Sequence, residues 1–270
     1  MASTSNPQAW RTNLRIWSRR WFPHQPGALV MAMSPALAGA VTSWWEQGRS
    51  AASWWLVVCW LLCYCVQFSA ARWMKSHGAR RWLTQPVAYC VVLCVVGLPF
   101  VLMHPDILVW APAMALLAAV SFIAAWRREE RSLWANAAAV CASCLMAALT
   151  FHYGCAGAAD DIPGMSGKGL LLSCAFGMVQ FGSVLFVKTM IRERGSKRYL
   201  AASWAWHVGA LLLAAFEGNA ALVALGAALL SRAVAVPIVS MRHTVRPLHT
   251  GLVEFAASML TFVLIVVAAI

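Results

Sequence analysis

A chain of 270 residues that is 61% hydrophobic and 11% charged, with mean hydropathy +0.69, excludes an ordinary soluble domain, which carries about a quarter charged residues. Its 21 Lys and Arg against nine Asp and Glu give a formal charge of +12. These cations are scattered over short segments between apolar runs, so they read as orientation signals of a membrane protein, and no nucleic-acid partner is expected.

Residues 1–26 are read as an N-terminal amphipathic segment without an apolar core of its own, so no cleavable leader is expected there. Trp10, Leu14, Trp17 and Trp21 recur at helical spacing, and Arg11, Arg15 and Arg19 share another face, which predicts a helix lying in the membrane interface. Pro23 and Pro26 end it. Residues 27–270 are read as one transmembrane domain. A bilayer core takes roughly 20 apolar residues as helix. That length recurs at Gly27–Trp45, Ser53–Trp73, Pro86–Met103, Ile107–Trp126, Leu133–Tyr153, Gly169–Met190, Leu200–Phe216, Ala220–Val239 and Gly251–Ile270. The runs are too long for barrel strands, so nine transmembrane helices are predicted. Tryptophans such as Trp44, Trp54, Trp55, Trp73 and Trp126 mark span ends as an aromatic belt.

Charge sets the orientation. With the N-terminus in the cytoplasm, nineteen of the 21 cations fall inside, and only Arg49 and Lys168 fall outside. Glu46, Asp106, Asp160, Asp161 and Glu217 then lean outward. The expectation is a multi-pass protein of the cell inner membrane, N-terminus cytoplasmic and C-terminus outside.

Two basic corners repeat. Lys75, Gly78, Arg80, Arg81, Trp82 and Leu83 match Arg192, Gly195, Lys197, Arg198, Tyr199 and Leu200, 117 positions later. Each follows an apolar run, so the chain is read as two related halves whose basic loops share a membrane side. The segment Gly154–Lys168 is read as a flexible connector between them.

Polar side chains inside spans need a reason, because a charge at a helix centre costs roughly 2.5–3.5 kcal/mol on insertion scales. Gln67, Asn136, Lys188, His207, Arg232 and Glu254 fall at comparable depth in six spans, roughly 5–12 Å below the inner surface at about 1.5 Å per residue. They predict one wet, cytoplasm-facing hollow roofed by the two basic loops. Arg232 and Glu254 are expected to pair. The bland alternative is that each residue snorkels or pairs locally, with His207 on a backbone carbonyl.

Other chemistries lack their residues. Hard cations want clustered carboxylates, and the inner side offers Glu129, Glu130, Glu193 and Glu254 without a paired Asp, so no metal is expected. No cofactor is expected either, since His152 and His207 lie at different depths and do not face one another as haem ligands. Cys141 and Cys144 have CxxC spacing inside a span without a partner pair and read as packing. A basic pocket between spans suits an anionic head group.

Trp21-Phe-Pro-His24-Gln-Pro26-Gly27-Ala28, then Pro35 to Gly39, and Lys188 to Gly195 followed by His207, resemble the YwiC-like bacterial membrane proteins. The usual opening of that family is Pro-Lys-Gln-His-Gly-Ala, from which His24 and Pro26 depart. More distantly, Pro35-Ala-Leu-Ala-Gly39 and the loops after spans two and six resemble the UbiA-type prenyltransferases. That resemblance implies an all-α polytopic bundle of two four-helix repeats plus one helix. The aspartate motifs that hold Mg²⁺ and diphosphate in that family are replaced here by Gln67 to Arg72 and Lys188 to Arg192. No catalytic residue carries over.

The leading expectation is a protein that binds an isoprenoid, a quinone or another lipid with an anionic head group. The binding residues expected are Gln67, Arg72, Lys75, Asn136, Lys188, Arg192, His207, Arg232 and Glu254. A metal-independent, UbiA-like transferase is its enzymatic form. The alternative is a non-catalytic partner or assembly factor of a respiratory membrane complex.

Overall fold

The structure, a computed structural model, describes residues 21, 23, 26–48, 50–155, 162–242 and 247–270. The interfacial helix expected before Phe22 lies outside them apart from Trp21, as do Arg49, Asp160 and Asp161. Among the described residues nine helices are long and apolar enough to cross a membrane. They are α1 Pro26–Gln47, α2 Ala51–Lys75, α3 Thr84–Met103, α4 Ala111–Trp126, α5 Leu133–Gly154, α6 Gly167–Val187, α7 Lys197–Phe216, α8 Ala220–Arg242 and α9 Pro247–Ala269. The protein is an all-α polytopic membrane protein.

Helix starts follow local chemistry that hydropathy misses. The Ser132 and Ser166 hydroxyls accept from the Ala135 and Gly169 amides, so α5 and α6 open on serine caps. Proline opens α9 at Pro247, four residues before the expected Gly251, because the first helical position has no N–H to satisfy. A 3₁₀ turn, Pro105–Trp110, precedes α4. α6 passes into a π turn at Lys188–Arg192.

Asn219 caps α8 through Oδ1, which accepts from the Ala221 and Leu222 amides at 3.0 and 3.2 Å. Its Nδ2 donates to the Ala268 carbonyl of α9 at 3.0 Å. Asn219→Ala is expected to lower stability by about 1–2 kcal/mol, and Asn219→Asp, which keeps the cap alone, to recover roughly half. Thermal unfolding in detergent reads both.

Three prolines interrupt helices, and at Pro35 and Pro237 the freed carbonyl is claimed by a neighbouring helix. Pro35 cannot donate to Met31, and the Met31 carbonyl accepts from Gln180 Nε2 at 2.7 Å. The next carbonyl, Ala32, accepts from Trp60 Nε1 at 2.8 Å. Beside Pro99 in α3, the Val96 carbonyl accepts from Trp55 Nε1 at 2.9 Å. Pro237 in α8 leaves Ala233 to Trp204 Nε1 at 2.9 Å. In lipid there is no water to do this, so these bonds fix helix register.

α1 and α5 form the central wall. Ala36, Ala40 and Ser43 of α1 are no more than 1% exposed, and Gly39 lies between them. Small residues let the backbones approach closely. Thr150 on α5 donates to the Ala36 carbonyl at 2.8 Å. One apolar core, built on Leu56, Val57, Phe100, Met146 and Leu149, lies on the α2–α3 side of this wall. A second, built on Leu172, Phe176, Leu225 and Ile265, lies on the side of α6 to α9.

Polar bonds knit each end of the bundle. At one end Lys75 pairs with Glu130, Lys188 Nζ donates to the Arg131 carbonyl at 2.7 Å, and Arg194 reaches the Ser240 carbonyl at 3.3 Å. At the other, Lys168 pairs with Glu46, Ser50 donates to the Tyr153 carbonyl, and Trp110 Nε1 donates to Pro163 at 2.9 Å. The first end is the basic face. Gly78 and Gly195 both belong to it and share a left-handed backbone, with φ of 82° and 88°. The two corners matched in sequence therefore both turn on a left-handed glycine at the matched position.

Candidate functional site

A cavity of ≈ 1060 Å³ lies between α1, α2, α4 and α5, backed by Gln180 and Val184 of α6. Along α2 it reaches from Leu56 to Lys75, about 28 Å at 1.5 Å per residue. Its walls are mostly apolar, with Leu56, Trp60, Leu93, Met114, Leu117 and Met146 among them. α4 closes one side while burying only Ala124 and Ala125, so most of that helix faces lipid.

Polar groups sit toward one end. Arg72, Lys75, Glu130 and Arg131 line the mouth at the basic face. The Arg72 guanidinium lies over the Trp82 and Phe68 rings, 4.8 and 5.2 Å from their centroids. Such stacking orients a guanidinium. Deeper, Gln67 Nε2 donates to Ser121 at 2.9 Å, and Asn136 Nδ2 donates to the Ser132 carbonyl at 2.7 Å. Ser143 donates to Gln180 Oε1 at 3.0 Å. The far end is bordered by Ile107, Leu108 and Trp110. Just beyond, Tyr153 donates to Asp106 at 2.9 Å.

The residues expected from sequence to share one hollow separate into groups. Gln67, Arg72, Lys75 and Asn136 line the cavity. Among the described residues His207, Arg232 and Glu254 do not; they meet across α7, α8 and α9 on the far side of the α1–α5 wall. Arg232 donates through Nη1 to Glu254, and its guanidinium carbon lies 4.4 Å from the Phe186 ring centroid. His207 Nδ1 donates to the Ser203 carbonyl at 2.7 Å, the local pairing weighed as its alternative. Lys188 is 8% exposed and spent on the Arg131 carbonyl, tying α6 to the loop before α5. Arg192 is exposed on the basic face.

Gln180 is absent from the sequence-derived set, although an amide in the middle of an apolar span carries the same signal as Gln67. It is 5% exposed, lines the cavity and holds the carbonyl that Pro35 frees. No group of three or more His, Cys, Asp or Glu side chains able to hold a metal ion occurs among the described residues.

Residues 22–151 match the family of YwiC-like proteins. The chain is also 25% identical over 248 residues to a protein of Haemophilus influenzae described as uncharacterized, covering 91% of this chain and 97% of that one. No solved structure matches it significantly.

Proposed function

We propose that this YwiC-like membrane protein holds one amphiphilic lipid, an isoprenoid, a quinone or another chain with an anionic or strongly polar head. The supporting observation is the shape and polarity of the cavity: about 28 Å long, apolar along its walls and cationic at one mouth. A hydrocarbon tail gains nothing by leaving bilayer for an apolar wall, so specificity must come from the head. Arg72, Lys75 and Arg131 supply charge there, and Gln67 and Asn136 supply amide groups one to two turns deeper. With the positive-inside rule, this mouth opens to the cytoplasm of a bacterial inner membrane. A metal-independent transfer onto the bound lipid is the enzymatic form of the reading.

Mass spectrometry of lipid retained on the purified protein tests it. One species enriched over bulk phospholipid is expected. Arg72→Ala with Lys75→Ala should lower its retention at least about fivefold, roughly 1 kcal/mol of lost charge-assisted contact. Ala142→Phe, on the cavity wall, should do the same by occupying space while leaving the basic mouth intact. Lipid in plain membrane proportions, unchanged by all three substitutions, would sink the proposal. A stoichiometric co-purifying protein without an enriched lipid would replace it with an assembly or partner role in a membrane complex.

A further inference from the structure

Among the described residues, seven buried side-chain nitrogen and oxygen atoms have no hydrogen-bond partner. Four of them belong to three residues on two adjacent helices: Ser203 Oγ, His207 Nε2, Arg232 Nε and Arg232 Nη2. The three side chains are 1%, 3% and 9% exposed. Leaving such groups unpaired in a membrane interior is expensive, so their concentration in one place calls for a ligand.

The register of the helices brings them together. Trp204 Nε1 donates to the Ala233 carbonyl, which sets Ser203 and Arg232, their sequence neighbours, at one level of α7 and α8. Ser203 and His207 are four apart, so they share a helix face. Across from them α6 presents Gly182, Ser183 and Phe186. A Cβ on Gly182 would lie 3.2 Å from His207 Nε2, so glycine is what lets α6 lie this close to that edge. Phe186, one turn nearer the basic face, lies under the Arg232 guanidinium. Ser183 reaches Glu254, the carboxylate that holds Arg232 Nη1.

The unpaired atoms have a defined chemistry. A carbonyl only accepts, so His207 Nδ1 carries its ring's proton and Nε2 presents a lone pair. Nε–H and Nη2–H lie on one edge of a guanidinium, the side-on fork that fits two oxygens of a carboxylate or phosphate. We infer that Arg232, His207 and Ser203 form a second binding site, separate from the cavity, for a protonated oxyacid: a carboxylic acid or a monoprotonated phosphate. The acid's O–H donates to His207 Nε2 while its oxygens accept from the Arg232 fork and the Ser203 hydroxyl. Charge balance reinforces this. Arg232 and Glu254 already neutralise each other, so a bare anion would add one negative charge to a low-dielectric interior. Bound with its proton, shared with or transferred to His207, a carboxylic acid adds none and a phosphate adds one fewer than it would without it. The other charges near His207 are few. Lys188 on α6 is held by the Arg131 carbonyl, and Tyr199 on α7 lies two turns away.

The test uses the full-length chain in nanodiscs, titrated separately with palmitate and with inorganic phosphate at about pH 6 and about pH 8. Saturable binding that tightens at the lower pH is expected for at least one probe. Phosphate binding assigns a free oxyanion, and palmitate binding alone assigns a lipid-borne acid. Arg232→Lys keeps the charge on Glu254 but lacks the fork, and should weaken binding about tenfold or more. His207→Gln should flatten the pH dependence, which decides the matter alone if Arg232→Lys does not fold. Arg127→Ala, exposed on the basic face and outside both sites, should leave both readouts unchanged. Binding of neither probe, equal affinity in wild type and Arg232→Lys, or pH dependence surviving in His207→Gln overturns the inference.

Discussion

Gly39→Ala and Gly154→Ala are expected to prise apart α1 and α5. A Cβ on Gly39 would stand 2.1 Å from the Ala147 carbonyl oxygen and 2.3 Å from Thr150 Oγ1. A Cβ on Gly154 would stand 2.3 Å from the Ser43 Cβ. Backbone and Cβ atoms cannot rotate away, so the helices must separate. Separation breaks the Thr150 bond to Ala36 and uncovers the interface on which both cores rest. Each substitution should cost about 3 kcal/mol, the top of the usual range for overpacking, from a single added methyl. Gly209→Ala is the control. Nothing lies within 4 Å of its Cβ position, and alanine there should be neutral or slightly stabilising. Thermal unfolding in detergent, with monodispersity on size exclusion, separates the three. Equal melting temperatures would show that the close approach carries no energy.

The Arg232–Glu254 pair gives the second large effect. Arg232→Ala leaves a carboxylate in the bundle with only Ser183 to oppose it, and Glu254→Ala leaves a guanidinium with Phe186 alone. Breaking a buried pair from one side costs about 3–5 kcal/mol, because the surviving charge is stranded. The double substitution removes both charges, so its loss should fall short of the sum by at least about 1 kcal/mol. Denaturant titration of the four proteins measures the cycle. Strict additivity would mean that the two groups do not interact.

Sequence pattern carried the number of spans and their alternation well, because crossing a bilayer imposes a length and an apolarity that composition reveals directly. It did not carry azimuth. Gln67 and Arg232 were equally deep on paper, yet the α1–α5 wall stands between them, and only helix packing decides which side of a wall a residue faces. Tryptophan shows the same limit. Trp55 reads as a belt residue at a span end, but its indole serves the Val96 carbonyl of the proline-broken α3. The prolines were visible in the sequence; the donors on neighbouring helices that compensate them were not, since each pair is distant along the chain. Gln180 belongs to this class, linked to Met31 across 149 positions.

The π turn at Lys188–Arg192 has a consequence for length variation in this chain. A π turn is an α-helix carrying one extra residue. Excising a single amino acid there would let the helix close up into regular α-helix with what lies beyond nearly in register, whereas the same excision within Gly167–Val187 would rotate everything beyond by about 100° around the axis. Lys188 would swing off the Arg131 carbonyl, and the corner around Gly195 would be aimed elsewhere. A one-codon deletion is therefore tolerable at exposed Ile191 or Arg192, whereas the same deletion within Gly167–Val187 is not.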